Sequence, residues 1–338
     1  MSQASVTIGR VGVLMGGPSA EREISLKSGR AVCAALEQVG CCATAIEVSA
    51  GADIETALLT RLRAASVDVA FIALHGTFGE DGGVQRLLDR EGLPYIGSSA
   101  EASAVAMDKV AARVQFEAAG LSIPRGIALR QERWADGAAR PELMRRIASL
   151  GEPVVVKPSA QGSSIGVQIV PSSQAALAID GAFSYGSVVL VEEYVTGREL
   201  TVGMLEDQPL PVIEIVPSHR FFDFTAKYQA GMTEYRVPAP IDAATARAVQ
   251  DAASAAHRAL GCRDCSRVDL ILTPAGLPAV LEVNTIPGFT GTSLLPKAAA
   301  AAGIAFPELC LRLVRAAVRR GASLAMHRVE VGADVASI

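Results

Sequence analysis

The sequence predicts an α/β fold that opens as a doubly wound domain, and three observations carry that expectation. The first is Gly9–Met15 (GRVGVLM), an apolar run of strand length followed by Gly16-Gly17-Pro18-Ser19. Ser19 is a good N-cap for a helix over Ala20–Val39, which Gly40 closes. Strand, glycine turn and helix begin a parallel sheet covered by helices. The second is Val67–Leu74 (VDVAFIAL), another apolar strand, which runs into HGTFGEDGG at residues 75–83. In open α/β sheets ligands collect beyond the carboxyl ends of strands, where this glycine-rich loop falls. The third is the pair Arg267–Leu272 (RVDLIL) and Val280–Asn284 (VLEVN), separated by Pro274-Ala275-Gly276 and readable as a hairpin.

Size and charge exclude several classes. At 338 residues, 50% hydrophobic and 20% charged, the chain has room for about two or three globular domains. A net charge of −4 leaves no electrostatic footprint for nucleic acid or an acidic membrane. No apolar run approaches the roughly 18 residues of a membrane span, and the N-terminus lacks a signal-peptide core. The six cysteines show no disulfide framework, and Cys262-Arg263-Asp264-Cys265 has no second pair to complete a zinc site. A cytoplasmic protein is expected. The G-x-G-x-x-G fingerprint is missing from the first turn, which disfavours a dinucleotide oxidoreductase.

The hairpin carries the sharpest chemistry. A turn centred between Ala275 and Gly276 sets Asp269 opposite Glu282, and Arg267 opposite Asn284. Facing carboxylates repel across a ladder, and a hard divalent cation with phosphate oxygens in its shell would offset that repulsion. Asp269, Glu282 and Asn284 are therefore the expected metal ligands. On this reading, neutralising either carboxylate raises the stability of the metal-free protein. The competing reading, a solvated acidic face, fits poorly with apolar neighbours. Pro287, Gly288 and Gly291 then end the strand and let backbone approach a ligand.

Between these ends the pattern predicts a helix over Ala100–Ala119, capped by Gly97-Ser98-Ser99 and carrying Asp108-Lys109. Pro153–Pro158 (PVVVKP) puts Lys157 in a β-branched strand, and Ser159–Gly166 (SAQGSSIG) forms a hydroxyl-rich loop before VQIV. Such a flap can wrap phosphate oxygens with backbone N–H groups, although it is not a Walker A loop. Val188–Tyr194 is a strand whose trailing acidic residues suit an adenine amino group and ribose hydroxyls. Ser218–Arg236, with three phenylalanines and two tyrosines after residue 220, reads as a lid. Helices are expected over Ala243–Leu260 and Pro307–Arg319, with a tail from Arg319 to Ile338. Glu21 is either a complement to a helix dipole or a ligand, and His75 is either structural or functional.

With these parts in order, the chain resembles the D-alanine–D-alanine ligases of the ATP-grasp superfamily. The matching stretches include GGPSAEREISLKSG, LHGTFGEDG, AMDK, VVVKPSAQGSSIGV, VEEYVTGREL, AKYQAGMTEY, SRVDLIL and EVNTIPGFTGTSLLPK, spanning about residues 10 to 318. The resemblance implies a Rossmann-like α/β domain (1–98), then an ATP-grasp module with a central flap domain (99–191) and a C-terminal metal-site domain (192–318). Residues 319–338 match nothing in the family. The implied reaction passes the γ-phosphate of ATP to one D-alanine carboxylate, and a second D-alanine amine attacks the acyl phosphate. Asp269, Glu282 and Asn284 match the ligands of two Mg²⁺ (or Mn²⁺). Lys109 and Lys157 match phosphate lysines, with Ser163 and Ser164 in the flap, and Glu192 and Glu199 match adenine and ribose contacts. Arg267 and the Gly288 N–H match the oxyanion donors. Glu21 and His75 match contacts to the first D-alanine, and Ser293 and Leu294 flank the second. Lys227 and Tyr228 match a closing loop, with Tyr228, Ser163 and Glu21 in a hydrogen-bonded triad. A homodimer is implied. Thr77-Phe78 and Cys265 depart from the commoner family residues. Tyr228 favours amide formation over a D-lactate ester, and Arg267 beside the acidic pair disfavours a non-catalytic nucleotide sensor.

Overall fold

The computed structural model describes residues 8–217 and 233–335, with side chains described to residue 322. Among these residues three sheets follow one another in sequence. The first is parallel, in the order β2-β1-β3: β1 (Val11–Gly16), β2 (Ala43–Val48) and β3 (Val69–Ile72). It is wound by α1 (Arg22–Gln38), α2 (Ile54–Ala64) and α3 (Gly83–Glu91). Every residue of β1 and β3 is buried, as both-faced coverage requires.

The second sheet is antiparallel, in the order β4-β7-β5-β6: β4 (Gly126–Arg130), β5 (Val154–Pro158), β6 (Gln168–Val170) and β7 (Val188–Glu193). The third has six strands: β8 (Arg198–Leu205), β9 (Gln208–Pro209), β10 (Ile213–Pro217), β11 (Thr233–Arg236), β12 (Cys265–Leu272) and β13 (Pro278–Asn284). Its order is β11-β10-β8-β12-β13, with β9 on β8.

The first and third sheets share a core in which Phe71 meets Phe289 edge to face, with ring centroids 5.0 Å apart. The second sheet buries its own cluster, including Ile127, Leu129, Trp134, Ile147, Val156 and Val191.

Several sequence expectations need correction. Ser19 does not cap α1, because its hydroxyl donates to the His75 carbonyl (2.6 Å) and accepts from the Glu21 N–H (3.2 Å); Glu21 takes the cap position. The helix expected over Ala100–Ala119 is two, α4 (Ala100–Met107) and α5 (Lys109–Ala118), broken at an extended Asp108. Both pack on the third sheet through Ala106, Ala112 and Phe116, so the expected central domain (99–191) does not hold its first helices in its own core.

The end of the expected lid, Thr233–Arg236, is a strand on β10 because alternate residues there find a sheet edge. The tail expected from Arg319 is helical: one helix runs Phe306–Val335, and Arg320 anchors it by a bidentate pair with Asp264 (2.7 and 2.9 Å) and a bond to the Tyr95 carbonyl (2.6 Å).

Candidate active site

The hairpin β12–β13 fixes the centre of the site. Next to its turn the strands pair about Ala275 itself, as Leu272 opposite Pro278 and Leu270 opposite Val280. One extra residue, Leu281, then enters β13, and beyond it Asp269 faces Glu282 and Arg267 faces Asn284. The expected pairing is thus reached through a β-bulge and not through the simple turn. The extra residue re-aims the strand so that both carboxylates come into register.

The facing carboxylates do not confront each other bare. Arg267, two residues from Asp269 and hence on the same face of β12, grips it with two bonds of 2.9 and 2.8 Å. Thr201 on β8 donates to the same carboxylate at 2.6 Å. Glu282 meets the Lys109 ammonium at 3.3 Å. Beside the divalent cation expected there, the fold itself supplies one positive side chain to each carboxylate.

Lys109 is aimed by the break between α4 and α5. The Asp108 carboxylate accepts from the Val110 and Ala111 N–H groups (3.0 and 3.3 Å) and from the Ser159 hydroxyl. The Lys109 N–H reaches the Ser159 carbonyl at 2.9 Å, and its ammonium reaches the Gln161 carbonyl at 2.7 Å. A helix terminus is thus pinned to the base of the flap.

Two cavities meet at this lysine. One, of about 500 Å³, is lined by Glu21, His75, Ser163, Arg267, Asn284, Gly288, Ser293 and Leu294. The other, of about 610 Å³, has apolar walls (Val155, Ile169, Ile271, Leu281) and is also lined by Lys157, Ser164, Glu192, Glu199 and Asp269. Lys109, Gln161 and Glu282 line both. Every described residue that the sequence singled out for the site therefore faces one cavity or the other. Lys227 and Tyr228 lie outside the described residues.

Within the first cavity Ser163 donates to the Glu21 carboxylate, tying the flap to the start of α1. Ser163 and Ser164 both have left-handed backbones (φ 51° and 59°), a strained choice for two consecutive residues with side chains. His75 is buried, 3.3 Å from the Ser28 hydroxyl and 3.6 Å from Glu80. A Cβ at Gly288 would lie 2.8 Å from the Ser293 hydroxyl, so glycine keeps that hydroxyl close to the backbone here.

In the second cavity Glu192 sits between Lys157 (2.5 Å) and Arg113 (2.7 Å). The sequence reading missed Arg113. The available signal was its i,i+4 spacing from Lys109, which puts two cations along one face of α5.

The donor set at the junction is all oxygen, two carboxylates and a carboxamide, which fits a hard divalent ion whose shell phosphate oxygens complete. Among the described residues no group of three or more His, Cys, Asp or Glu gathers as a metal site. Burial pushes the Cys262 thiol up to about 11, and Cys265 well above the ordinary thiol range. Among the described residues no single helix is long and apolar enough to cross a membrane.

The family described as D-ala D-ala ligase C-terminus matches residues 91–315, and D-ala D-ala ligase N-terminus matches residues 48–98. A D-alanine–D-alanine ligase of Anaeromyxobacter sp. (strain Fw109-5) is 48% identical over 306 residues, covering 90% of this chain and 96% of that one. That of Geotalea uraniireducens (strain Rf4) is 49% identical over 310 residues, covering 91% and 95%. The crystal structure of the Bacillus anthracis D-alanine–D-alanine ligase complexed with ATP is similar with a TM-score of 0.80 and 32% identity, over 93% of this chain and 99% of that one. The VanG D-Ala:D-Ser ligase of Enterococcus faecalis is similar with a TM-score of 0.76 and 31% identity, over 91% and 99%.

Proposed function

The chain belongs to the D-alanine–D-alanine ligase family, and from that premise we propose how its two cavities carry out ATP-dependent ligation of D-alanine to D-alanyl-D-alanine, the dipeptide of peptidoglycan precursors. The observation that supports this division of labour is the shared wall: Lys109, Gln161 and Glu282 line both cavities. A nucleotide in the apolar-walled cavity presents its γ-phosphate to an amino acid in the polar one.

In the first half-reaction a D-alanine carboxylate oxygen attacks the γ-phosphorus, and the bond to the β–γ bridging oxygen breaks to leave ADP. In the second, the amine of another D-alanine attacks the acyl carbon, loses a proton, and phosphate leaves. No protein nucleophile is needed, because the activated intermediate is on the substrate; the protein positions and neutralises. Lys109 and Lys157 hold phosphate oxygens, with Ser163 and Ser164 at the flap. The apolar walls receive the base, with Glu192 at its edge and Glu199 at the ribose. Glu21 and His75 hold the first D-alanine, while Ser293 and Leu294 border the second.

Arg267 and the Gly288 N–H face the place where the tetrahedral oxyanion forms. Asp269, Glu282 and Asn284 are the residues that would hold Mg²⁺ or Mn²⁺, which when bound neutralises phosphate charge. We also infer a homodimer working in the cytoplasm, as the family resemblance implies; light scattering tests the first.

The test is a purified-protein assay with ATP, Mg²⁺ and D-alanine, with D-lactate and D-serine offered as competing second substrates. D-alanyl-D-alanine and phosphate should appear one to one. A mixed product formed in preference to the homodipeptide overturns the assignment of the second substrate, and ATP consumption without any condensed product overturns ligation.

A further inference from the structure

Glu192 carries more charge contacts than a base-reading residue needs. Its side chain is 4% exposed, with one oxygen 2.7 Å from the Arg113 guanidinium and the other 2.5 Å from the Lys157 ammonium. Lys157 is not a fixed neighbour of Glu192 in the ladder. On β5 the residue opposite Glu192 is Val155, and Lys157 lies two residues on, opposite Leu190. The contact is a diagonal reach by a flexible side chain. The same ammonium lines the cavity assigned to nucleotide, where phosphate oxygens compete for it.

Arg113, by contrast, is built in. Its guanidinium also donates to the Pro124 carbonyl at 2.6 Å. The strand on the other side of Glu192 leaves space for the pair, because the residue opposite is Gly126. A Cβ there would lie 3.0 Å from the Glu192 Cγ and 3.3 Å from the Arg113 Cζ.

We propose that Arg113 is a positioning residue for phosphate binding: it takes the charge of Glu192 so that Lys157 can leave that carboxylate for the nucleotide phosphates. This rests on reading the second cavity as the nucleotide site. A buried carboxylate stripped of its last cation is strongly disfavoured. Without Arg113, Lys157 would be that last cation, and phosphate would have to win it from Glu192. With Arg113 in place, the carboxylate keeps a guanidinium partner at 2.7 Å and the lysine is released at little cost.

The experiment compares ADP with adenosine, both with Mg²⁺, by calorimetric titration of the full chain. The ratio of the two affinities isolates the phosphate contribution and cancels contacts to the base and ribose. In Arg113→Met the ratio should fall by about tenfold or more, the effect of weakening one charge-assisted contact. In Glu192→Gln the ratio should hold or rise, because nothing competes for the lysine. The double variant Arg113→Met with Glu192→Gln should recover the wild-type ratio. A structural role for Arg113 predicts the opposite: adenosine and ADP weaken together and the double variant is no better than Arg113→Met. An unchanged ratio in Arg113→Met, a fall in Glu192→Gln, or a failed recovery overturns the proposal. Failure of wild type to bind ADP at all would instead remove the nucleotide reading beneath it.

Discussion

At the scale of single residues, Arg267 and Asp269 decide the most. Their bidentate contact, with both side chains about nine-tenths buried, means that Asp269 cannot be neutralised for free. The sequence alone suggests that Asp269→Asn relieves repulsion and stabilises the metal-free protein. The structure argues for the opposite sign, because the substitution removes a buried carboxylate held at two points by Arg267 and at a third by Thr201. A loss of roughly 3 kcal/mol in urea unfolding is expected, and an equal or higher stability would show that Glu282 repulsion dominates after all. Arg267→Lys keeps the charge but loses the planar fork. Turnover should drop about 10²–10³-fold, with acyl phosphate still forming while condensation slows in a quenched-flow assay; equal slowing of both steps would place Arg267 on the nucleotide instead. The identities of these residues were legible from strand alternation and the facing register. Their partnerships were not. Asp269 and Arg267 at i and i+2 share a face by rule, yet nothing local says whether the arginine serves its neighbour or a substrate. The i,i+4 spacing from Lys109 marks Arg113 as a cation on that face, but not what it serves, because its partner Glu192 is 79 residues away.

At the scale of elements, the instructive failure is Ala100–Ala119. No glycine or proline interrupts it, so periodicity and propensity favour one helix. Asp108 breaks it because a distant hydroxyl, Ser159, and two N–H groups of the next turn all satisfy its carboxylate. The N–H bonds are local, but the Ser159 bond that joins them exists only once the flap has docked. The same holds for the Leu281 bulge, which depends on β8 and β13 both pairing with β12. By contrast the strands β1, β5, β7 and β12 and the long helix Ala243–Ala259 were readable, since each combines unbroken patterning with a local stop signal. Asp108→Ala should cost about 1–2 kcal/mol as a lost cap, and it should also let the two helices merge and carry Lys109 off the shared wall. Activity should therefore fall well beyond what the thermal shift explains, whereas Asp108→Ser keeps a capping oxygen and most activity. If both variants lose activity only in proportion to folded fraction, the break does not aim Lys109.

At the scale of the whole molecule, the division of cores sets how the enzyme holds its nucleotide. The first and third sheets are joined by a common hydrophobic cluster, but the second sheet keeps a cluster of its own. It is tied to the rest largely through polar contacts: Lys109 to the Gln161 carbonyl, Arg113 to Glu192, and Glu21 to Ser163. Interfaces of that kind yield before cores do. The cavity read as the nucleotide site lies across this seam, with Val155 and Lys157 on one side and Ile271 and Glu282 on the other. On that reading ADP needs the two sides together, so its binding energy adds directly to the seam. Calorimetry without nucleotide should accordingly resolve two transitions, the lower one belonging to the second sheet. ADP with Mg²⁺ at 100 times its dissociation constant adds about 2.7 kcal/mol to states that bind it, which should raise the lower transition and merge it with the upper. Hydrogen exchange locates the effect: amides of β5 and β7 should slow markedly on adding ADP, and those of β1 and β3 should change little. A single transition without nucleotide, with calorimetric and van't Hoff enthalpies equal, would mean that the polar seam is as cooperative as the cores. Equal protection of β1 and β5 by ADP would mean that the nucleotide tightens the entire molecule and not the seam.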